Sequence, residues 1–507
     1  MTEQPVFAFW QRTDRDAIAV VDPDHTVHTV GALQDAANQL AHGLRALGLG
    51  HGDVLAFCLH NAVEVYEVWM AATQIGLRVV PLNWHLTASE VAYIVEDSGA
   101  KVVVADLESA PLVADCVAHR FVAGGEVEGF RPLSALKTGD VSPPAHRTAG
   151  GVMNYTSGTT GRPKGVRRPL PETPPEPVAT AYAYFLLLFG MQPGRGVQIV
   201  GSPLYHTAVL YFSSSALHLG HSLVLMDKWT PEGMLERIAR YRVTSSHMVP
   251  TQFSRLLAVP DRERFDVSSL RAMVHSAAPC PPAIKQQMLD WWGDAVWEYY
   301  AATEGGGTAV SPQEWRLRPG TVGRPWQGAD IKVFRDDGTP CGPGEVGTVY
   351  IKMAQGFEYH QDKRKTEEAW RPDGYFTVGD AGYLDEEGYL FLSDRKADMI
   401  ISGGVNIYPA EIEAVLITHP AVLDVAVFGI PDDDWGEQVK AVIELTAGTS
   451  PGDAVVDDIL AFAEGRLAKF KRPRSIDLVD ALPRDPNGKL AKRKLRDPYW
   501  EGTGRAI

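Results

Sequence analysis

Leu33, Ala37, Leu40, Leu44 and Leu47 recur at the three- and four-residue spacing of a helix with one buried stripe, and Gly48 and Gly50 predict where it stops. The run VLAFCL that follows has no polar face, so it predicts a strand covered on both sides. A second apolar-rich helix over residues 62–75, a glycine and the run RVVPL complete a β-α-β pattern. The same alternation returns in VQIVGSPLYH, HSLVLM and RAMVHSAAP, which predicts α/β architecture with largely parallel sheet over the first two-thirds of the chain. The most apolar run, VATAYAYFLLLFGM at residues 178–191, is too short to cross a bilayer and reads as a buried helix. Just before it, RRPLPETPPEPV carries five prolines, which favour an extended, mobile loop over a helix.

Between about residues 320 and 392 the texture changes to short strands with Gly, Asp and Pro turns, the mark of a small β-rich subdomain. After SDRKAD, at residues 393–398, a Gly-Gly loop is followed by a helix with Pro409 in its first turn, the strand LDVAVFGI and an amphipathic helix near 457–467. The expected organisation is an N-terminal domain over 1–394, a hinge at 395–398 and a C-terminal α+β domain over 399–507.

A formal charge of −15, from 48 basic and 63 acidic side chains, argues against nucleic acid or an anionic membrane as main partner. Cys58, Cys116, Cys280 and Cys341 stand far apart with no metal-binding spacing, so reduced thiols in a cytoplasmic protein are expected. The first residues lack a basic start followed by an apolar run, so no signal peptide is predicted.

The stretch NYTSGTTGRPKGV, from Asn154 to Val166, gathers hydroxyls, glycines and a lysine. Glycines let backbone N–H groups turn toward one point, and Thr156, Ser157, Gly158, Thr159, Thr160, Gly161 and Lys164 together suit a polyphosphate. It is not a Walker loop, because Gly165 follows the lysine where that motif needs Ser or Thr. The stretch resembles the phosphate loop of the adenylate-forming superfamily, which includes acyl-CoA synthetases, amino-acid-activating domains and luciferases.

The resemblance continues in order along nearly the whole chain. In PLYHTAVL it implies that His206 lies beside an acyl pocket, although a lone histidine on an apolar segment is more often a core residue. In HSAAPCP and WEYYAATEGGG it implies that Ser276, Ala277, Ala278 and Pro279 line the adenine, that Tyr300 stacks on it, and that Thr303 touches the α-phosphate. Glu304, with Thr160, would hold Mg²⁺; Ala301 stands where the family usually has Gly, and with Ala302 and Gly305 it would floor the acid pocket. Asp380 resembles the carboxylate that accepts both ribose hydroxyls, and Arg395 would support ribose or phosphate from the hinge. Lys489, after an Asn-Gly turn, matches the family's catalytic lysine. Gly403 and Gly404 fit a second loop that admits pantetheine, and Lys471 and Arg472 either meet the phosphates of CoA or form a solvated face.

These matches imply ATP- and Mg²⁺-dependent attack of a carboxylate on the α-phosphate, followed by transfer of the acyl group from AMP to CoA. Family members generally carry Asp or Lys two positions after Arg395; this chain has Ala397, so adenylation is expected intact while the thioester step is weak or completed by a partner enzyme or carrier protein. No carboxylate follows His206 to pair with an ammonium, which disfavours amino acids. The small run Ser213 to Ala216 either leaves room for a large lipophilic acid, whether fatty, aryl or polycyclic terpenoid-like, or marks simple helix packing. A non-catalytic nucleotide sensor is the alternative from another class, and a luciferase-like oxidation is remote.

Overall fold

A computed structural model describes residues 8–116, 119–156, 163–194, 196–395, 398–403, 405–432, 434–484 and 490–501. The first helical stripe forms Val30–Ala46, where the Thr29 hydroxyl accepts a hydrogen bond from the Ala32 N–H and Leu33, Ala37, Leu40 and Leu44 are buried. The apolar run after it forms the strand Val54–Cys58, buried at every position. Its alternation divides it between two cores: Leu55 and Phe57 face one, while Val54, Ala56 and Cys58 face the other.

That strand lies inside a six-stranded sheet, ordered Arg131–Pro132, His119–Val122, Ala100–Ala105, Val54–Cys58, Arg78–Pro81, Gly151–Val152, with every neighbouring pair parallel. A nine-stranded sheet runs Arg324–Pro325, Gly307–Val310, Val296–Ala301, Ala272–His275, Ser245–Met248, Val197–Val200, Ser222–Leu225, Ile18–Val21, Val27–Thr29. Its pairs are parallel from Val296–Ala301 through Ile18–Val21 and antiparallel toward both edges. One core holds Leu55, Val79 and Val102 from the first sheet together with Val200, Leu223 and Val274 from the second, so the two sheets sandwich a helix layer. The outer faces are covered by Ala88–Ser98 on the first sheet and by Pro231–Tyr241, Pro250–Leu257 and Pro282–Trp292 on the second.

The β-rich stretch forms an antiparallel sheet of Ala329–Phe334, Gly347–Met353, Asp380–Leu384 and Leu390–Arg395 over its own core. Toward the C-terminus, Val422–Asp432, Gly436–Leu445 and Ser475–Val479 form a sheet whose core is completed by the helices Pro409–Leu416 and Asp453–Glu464. The architecture is therefore α/β, with a large N-terminal domain of parallel sheets and a smaller C-terminal α/β domain.

Three expectations need correction. The proline-rich stretch is not loop throughout: a helix begins at Pro175 and runs to Leu187. Prolines in a first turn forfeit only N–H groups that a helix start leaves unbonded, so they do not block it. That helix buries one face, with Ala179, Ala183 and Leu186, and leaves Tyr184 and Leu188 exposed, so it is not buried all round. The amphipathic helix expected near 457–467 starts four residues earlier, at Asp453. Among the described residues no helix is long and apolar enough to cross a membrane, and the four cysteines are unpaired.

Candidate active site

The strand Lys164–Arg167 pairs antiparallel with Asn154–Thr156 on one side and with Glu358–Tyr359 on the other. This second pairing joins segments nearly two hundred residues apart. It carries the chain from Tyr359 into a turn where Asp362 meets the Lys164 ammonium. Tyr359 itself donates its hydroxyl to Glu304 Oε1 at 2.7 Å, and Glu304 is buried. Burial, and then the Glu304 charge, push the Tyr359 hydroxyl pKa up, so it stays protonated as a donor. The neighbouring Thr303 carbonyl accepts a hydrogen bond from Arg168 at 2.5 Å. Lys164, Thr303 and Glu304 thus lie in one region. Ser157, Gly158, Thr159, Thr160 and Gly161 fall outside the described residues, as does the side chain of Thr156.

A second group gathers at the ends of adjacent parallel strands, the usual ligand position in such sheets. Tyr300, near the end of Val296–Ala301, donates its hydroxyl to Asp380 Oδ2 at 2.6 Å. Asp380 opens the strand Asp380–Leu384 and stands opposite Arg395 in register, although the Arg395 side chain is outside the description. Ser276 follows the strand Ala272–His275, and its hydroxyl lies 3.0 Å from His247 Nε2, which is also 3.0 Å from the Tyr299 hydroxyl. Ala277 adopts φ +72°, a left-handed conformation uncommon outside glycine, and is exposed with Pro279. After Ala301, Ala302 and Gly305 the backbone turns sharply. A side chain at Gly307 would collide with the Tyr300 carbonyl, 1.9 Å from the built Cβ, so only glycine permits the return strand to approach so closely.

His206 precedes the helix Thr207–His218, and its Nε2 is buried without a hydrogen-bond partner. Burial first, then His247 and His85, push its pKa well below the usual histidine value, so the ring is neutral near pH 7. His247, whose charge acts on that ring, packs in the N-terminal core against Phe212 and Tyr299, which stack on each other at 5.5 Å, and Phe185 meets Trp326 edge-on at 5.2 Å to complete an aromatic wall. Ser213 does not open this wall. It is fully buried and gives its hydroxyl to the Val209 and Leu210 carbonyls at 2.8 and 3.2 Å, the packing role of the two expected for that small run.

In the C-terminal region Gly403 has φ +58° and lies under Trp435, whose ring is 2.4 Å from where a Cβ would be. Gly404, Ala397 and Lys489 are outside the described residues. Lys471 is engaged by both carboxylate oxygens of Glu411, at 2.6 and 2.7 Å, and Arg472 donates to the Leu467 and Glu464 carbonyls. Both are committed within their own domain and are not brought near Lys164 or Asp380 by any of these bonds.

The AMP-binding enzyme family matches residues 7–358, and the AMP-binding enzyme C-terminal domain matches residues 411–489. The chain belongs to the AMP-binding enzyme family. Among curated relatives of this AMP-binding enzyme, the fatty acid–[acyl-carrier-protein] ligase ScoC of Streptomyces coeruleorubidus is 32% identical over 501 residues, covering 94% of this chain and 93% of its own length. The long-chain-fatty-acid–CoA ligase FadD13 of Mycobacterium tuberculosis is 33% identical over 492 residues, 95% of each chain. Among solved structures, the anthranilate CoA ligase AuaEII in complex with anthranoyl-AMP has a TM-score of 0.85 at 25% identity, covering 98% of this chain and 97% of that one. ATP-bound MatB from Rhodopseudomonas palustris gives 0.83 at 29% identity, over 98% and 99%. This AMP-binding enzyme is an acid–thiol ligase that uses ATP.

Among the described residues no three metal-ligating side chains cluster. A single carboxylate, Glu304, beside Lys164 still fits Mg²⁺, which typically takes one or two carboxylates and completes its shell with phosphate oxygens and water. Sequence reasoning missed the turn carrying Tyr359 and Asp362, because GFEYHQDKRKTEEAW has no striking composition. Its register against Lys164–Arg167 is a tertiary fact.

Proposed function

We propose that this AMP-binding enzyme activates a lipophilic carboxylic acid, with an aryl acid favoured over a long fatty chain, and then passes the acyl group to the thiol of CoA. The observation that carries the reading is the Tyr300–Asp380 bond, with Glu304 four residues beyond Tyr300 and held by Tyr359 from the strand that pairs with Lys164–Arg167. The aromatic wall of Phe185, Phe212, Tyr299 and Trp326 supports a flat ring, which stacks on such edges and faces better than a flexible chain does. Anthranilate is the acid named for one structural relative, while fatty acids are named for two sequence relatives.

In this reading Asp380 accepts the ribose hydroxyls, Tyr300 lies against the adenine with Ser276–Pro279, and Arg395 supports the ribose. The Tyr300–Asp380 bond holds both groups in position before nucleotide arrives. Neutral His206 offers an uncharged polar edge to the acid without a desolvated positive charge. Negative charge gathers around phosphorus as the carboxylate oxygen attacks, and Thr303, Lys164 and Lys489 supply donors there, so catalysis is positioning plus electrostatics with no covalent nucleophile. Glu304 with Thr160 would hold Mg²⁺, which would neutralise charge on the phosphates. Residues 1–394 form the nucleotide-binding domain and 399–507 a lid that turns about 395–398, exchanging Lys489 for Gly403 and Gly404 between half-reactions. With Ala397 at the pivot, the thioester step is slower than adenylation or is finished by a partner enzyme or carrier protein. A cytoplasmic setting, where ATP and CoA are available, fits this chemistry.

The test is acid-dependent ATP–pyrophosphate exchange across aryl, fatty and terpenoid acids, with CoA added afterwards. Lys489→Ala is expected to bind ATP yet lose exchange by about 10²-fold or more. Full exchange in that variant would defeat the mechanism. Nucleotide binding with no exchange for any acid in the wild type would favour the sensor reading.

A further inference from the structure

We infer that Lys365 is a second lysine of the polyphosphate site, one that binds the β- and γ-phosphates of ATP and steadies pyrophosphate as it leaves. This deepens the nucleotide reading above and rests on it. The strand pairing that brings Asp362 to Lys164 also places the short helix Lys363–Ala369 at the same cleft, with the Lys365 N–H donating to Asp362 Oδ1 at 2.9 Å. The Lys365 ammonium lies 4.8 Å from the centre of the Tyr359 ring, and the hydroxyl of that ring is bound to Glu304. One tyrosine therefore connects the proposed Mg²⁺ carboxylate to this lysine.

The charges around it are unevenly matched. Lys164 is taken by Asp362, and Glu304 accepts from Tyr359, whereas Lys365 forms no ion pair with any described carboxylate. Its stem is half-buried against the aromatic ring, so its ammonium is partly desolvated. Burial first, and then the nearby Lys164 charge, lower its pKa, while the Glu304, Asp362 and Glu368 charges act the other way, so the ammonium is held in the cleft at a cost set mainly by desolvation. A multivalent anion lying between Lys365 and Lys164 offsets that cost, and a triphosphate is such an anion.

In the adenylation step a substrate carboxylate oxygen forms a bond to the α-phosphorus. The bond from that phosphorus to the bridging β-phosphate oxygen breaks, and pyrophosphate departs with the electron pair. Lys365 donates N–H bonds to this leaving group throughout and transfers no proton. It makes no demand on the adenosine or the α-phosphate.

Calorimetric titration of the full-length protein with Mg·ATP, AMP and inorganic pyrophosphate separates these possibilities. Lys365→Met is expected to weaken ATP and pyrophosphate about tenfold to a hundredfold, the range for hydrogen bonds to a charged partner, with AMP unchanged and Lys365→Arg restoring most of the loss. Unaltered pyrophosphate affinity in Lys365→Met overturns the inference. An equal loss of AMP binding also overturns it, because the lysine would then be supporting the fold of the cleft. Wild-type protein that binds none of the three defeats the nucleotide reading, and this inference with it.

Discussion

Replacing Lys285 with methionine should destabilise the protein by about 3 kcal/mol at pH 7, through the carboxylate it leaves behind. Lys285 and Glu298 form an ion pair in the core of the nine-stranded sheet, with side-chain exposures of 1% and 8%. Burial pushes the Glu298 carboxyl up and the Lys285 ammonium down, and each partner's charge opposes the other's shift. Methionine keeps the packing against Trp315, over which the ammonium lies at 4.9 Å, but removes the charge. Glu298 must then take up a proton to remain buried. Doing so at pH 7 from its ordinary value of 4.5 spans two and a half pH units, which is about 3 kcal/mol and close to the usual cost of breaking a buried pair. The sign is fixed by linkage. With its folded pKa raised above the unfolded one, Glu298 costs more as pH rises, so the penalty should shrink by roughly 1.4 kcal/mol per unit between pH 7 and 5. Urea unfolding followed by tryptophan fluorescence at several pH values reads this, and adding Glu298→Gln should recover most of the loss. A pH-independent penalty, or a double variant as weak as the sum of the singles, would refute the reasoning.

Two further outcomes follow from the site. Burial pushes the His247 pKa down to about 4, so the unfolded chain binds that proton more readily and stability should fall as pH drops from 6.5 toward 4; His247→Gln should flatten the slope of urea midpoint against pH, and an unchanged slope would count against it. Gly403→Ala drives a methyl into the Trp435 ring at a left-handed backbone position, so Trp435 fluorescence should shift and the yield of thioester per adenylate should fall; an unaltered yield would remove Gly403 from the CoA step.

Much of the architecture was legible because strand and helix periods differ. The run VLAFCL declared a strand buried on both faces, and it lies with alternate residues in two cores. The proline-rich stretch misled because composition does not reveal that Pro175 occupies a first turn, where its missing donor costs nothing. Motif positions announced Lys164, Tyr300, Glu304 and Asp380, and two of them prove to be hydrogen-bonded to each other. Asp362, Tyr359 and Lys365 stayed silent, since their meaning depends on which strand they lie beside. The aromatic wall was equally hidden: Phe185, Phe212, Tyr299 and Trp326 come from distant segments that only the helix layer and sheet edge unite.

The Lys164–Asp362 contact spans 198 positions of sequence, and this has a consequence for how the enzyme comes into being. A nascent chain that has exposed only its first three hundred or so residues already owns the glycine-rich loop, yet it has no carboxylate to orient that lysine. On the proposed reading, the capacity to bind a triphosphate is therefore expected to arise late in synthesis. A fragment ending before residue 358 should ignore ATP, however well its parallel sheets have closed.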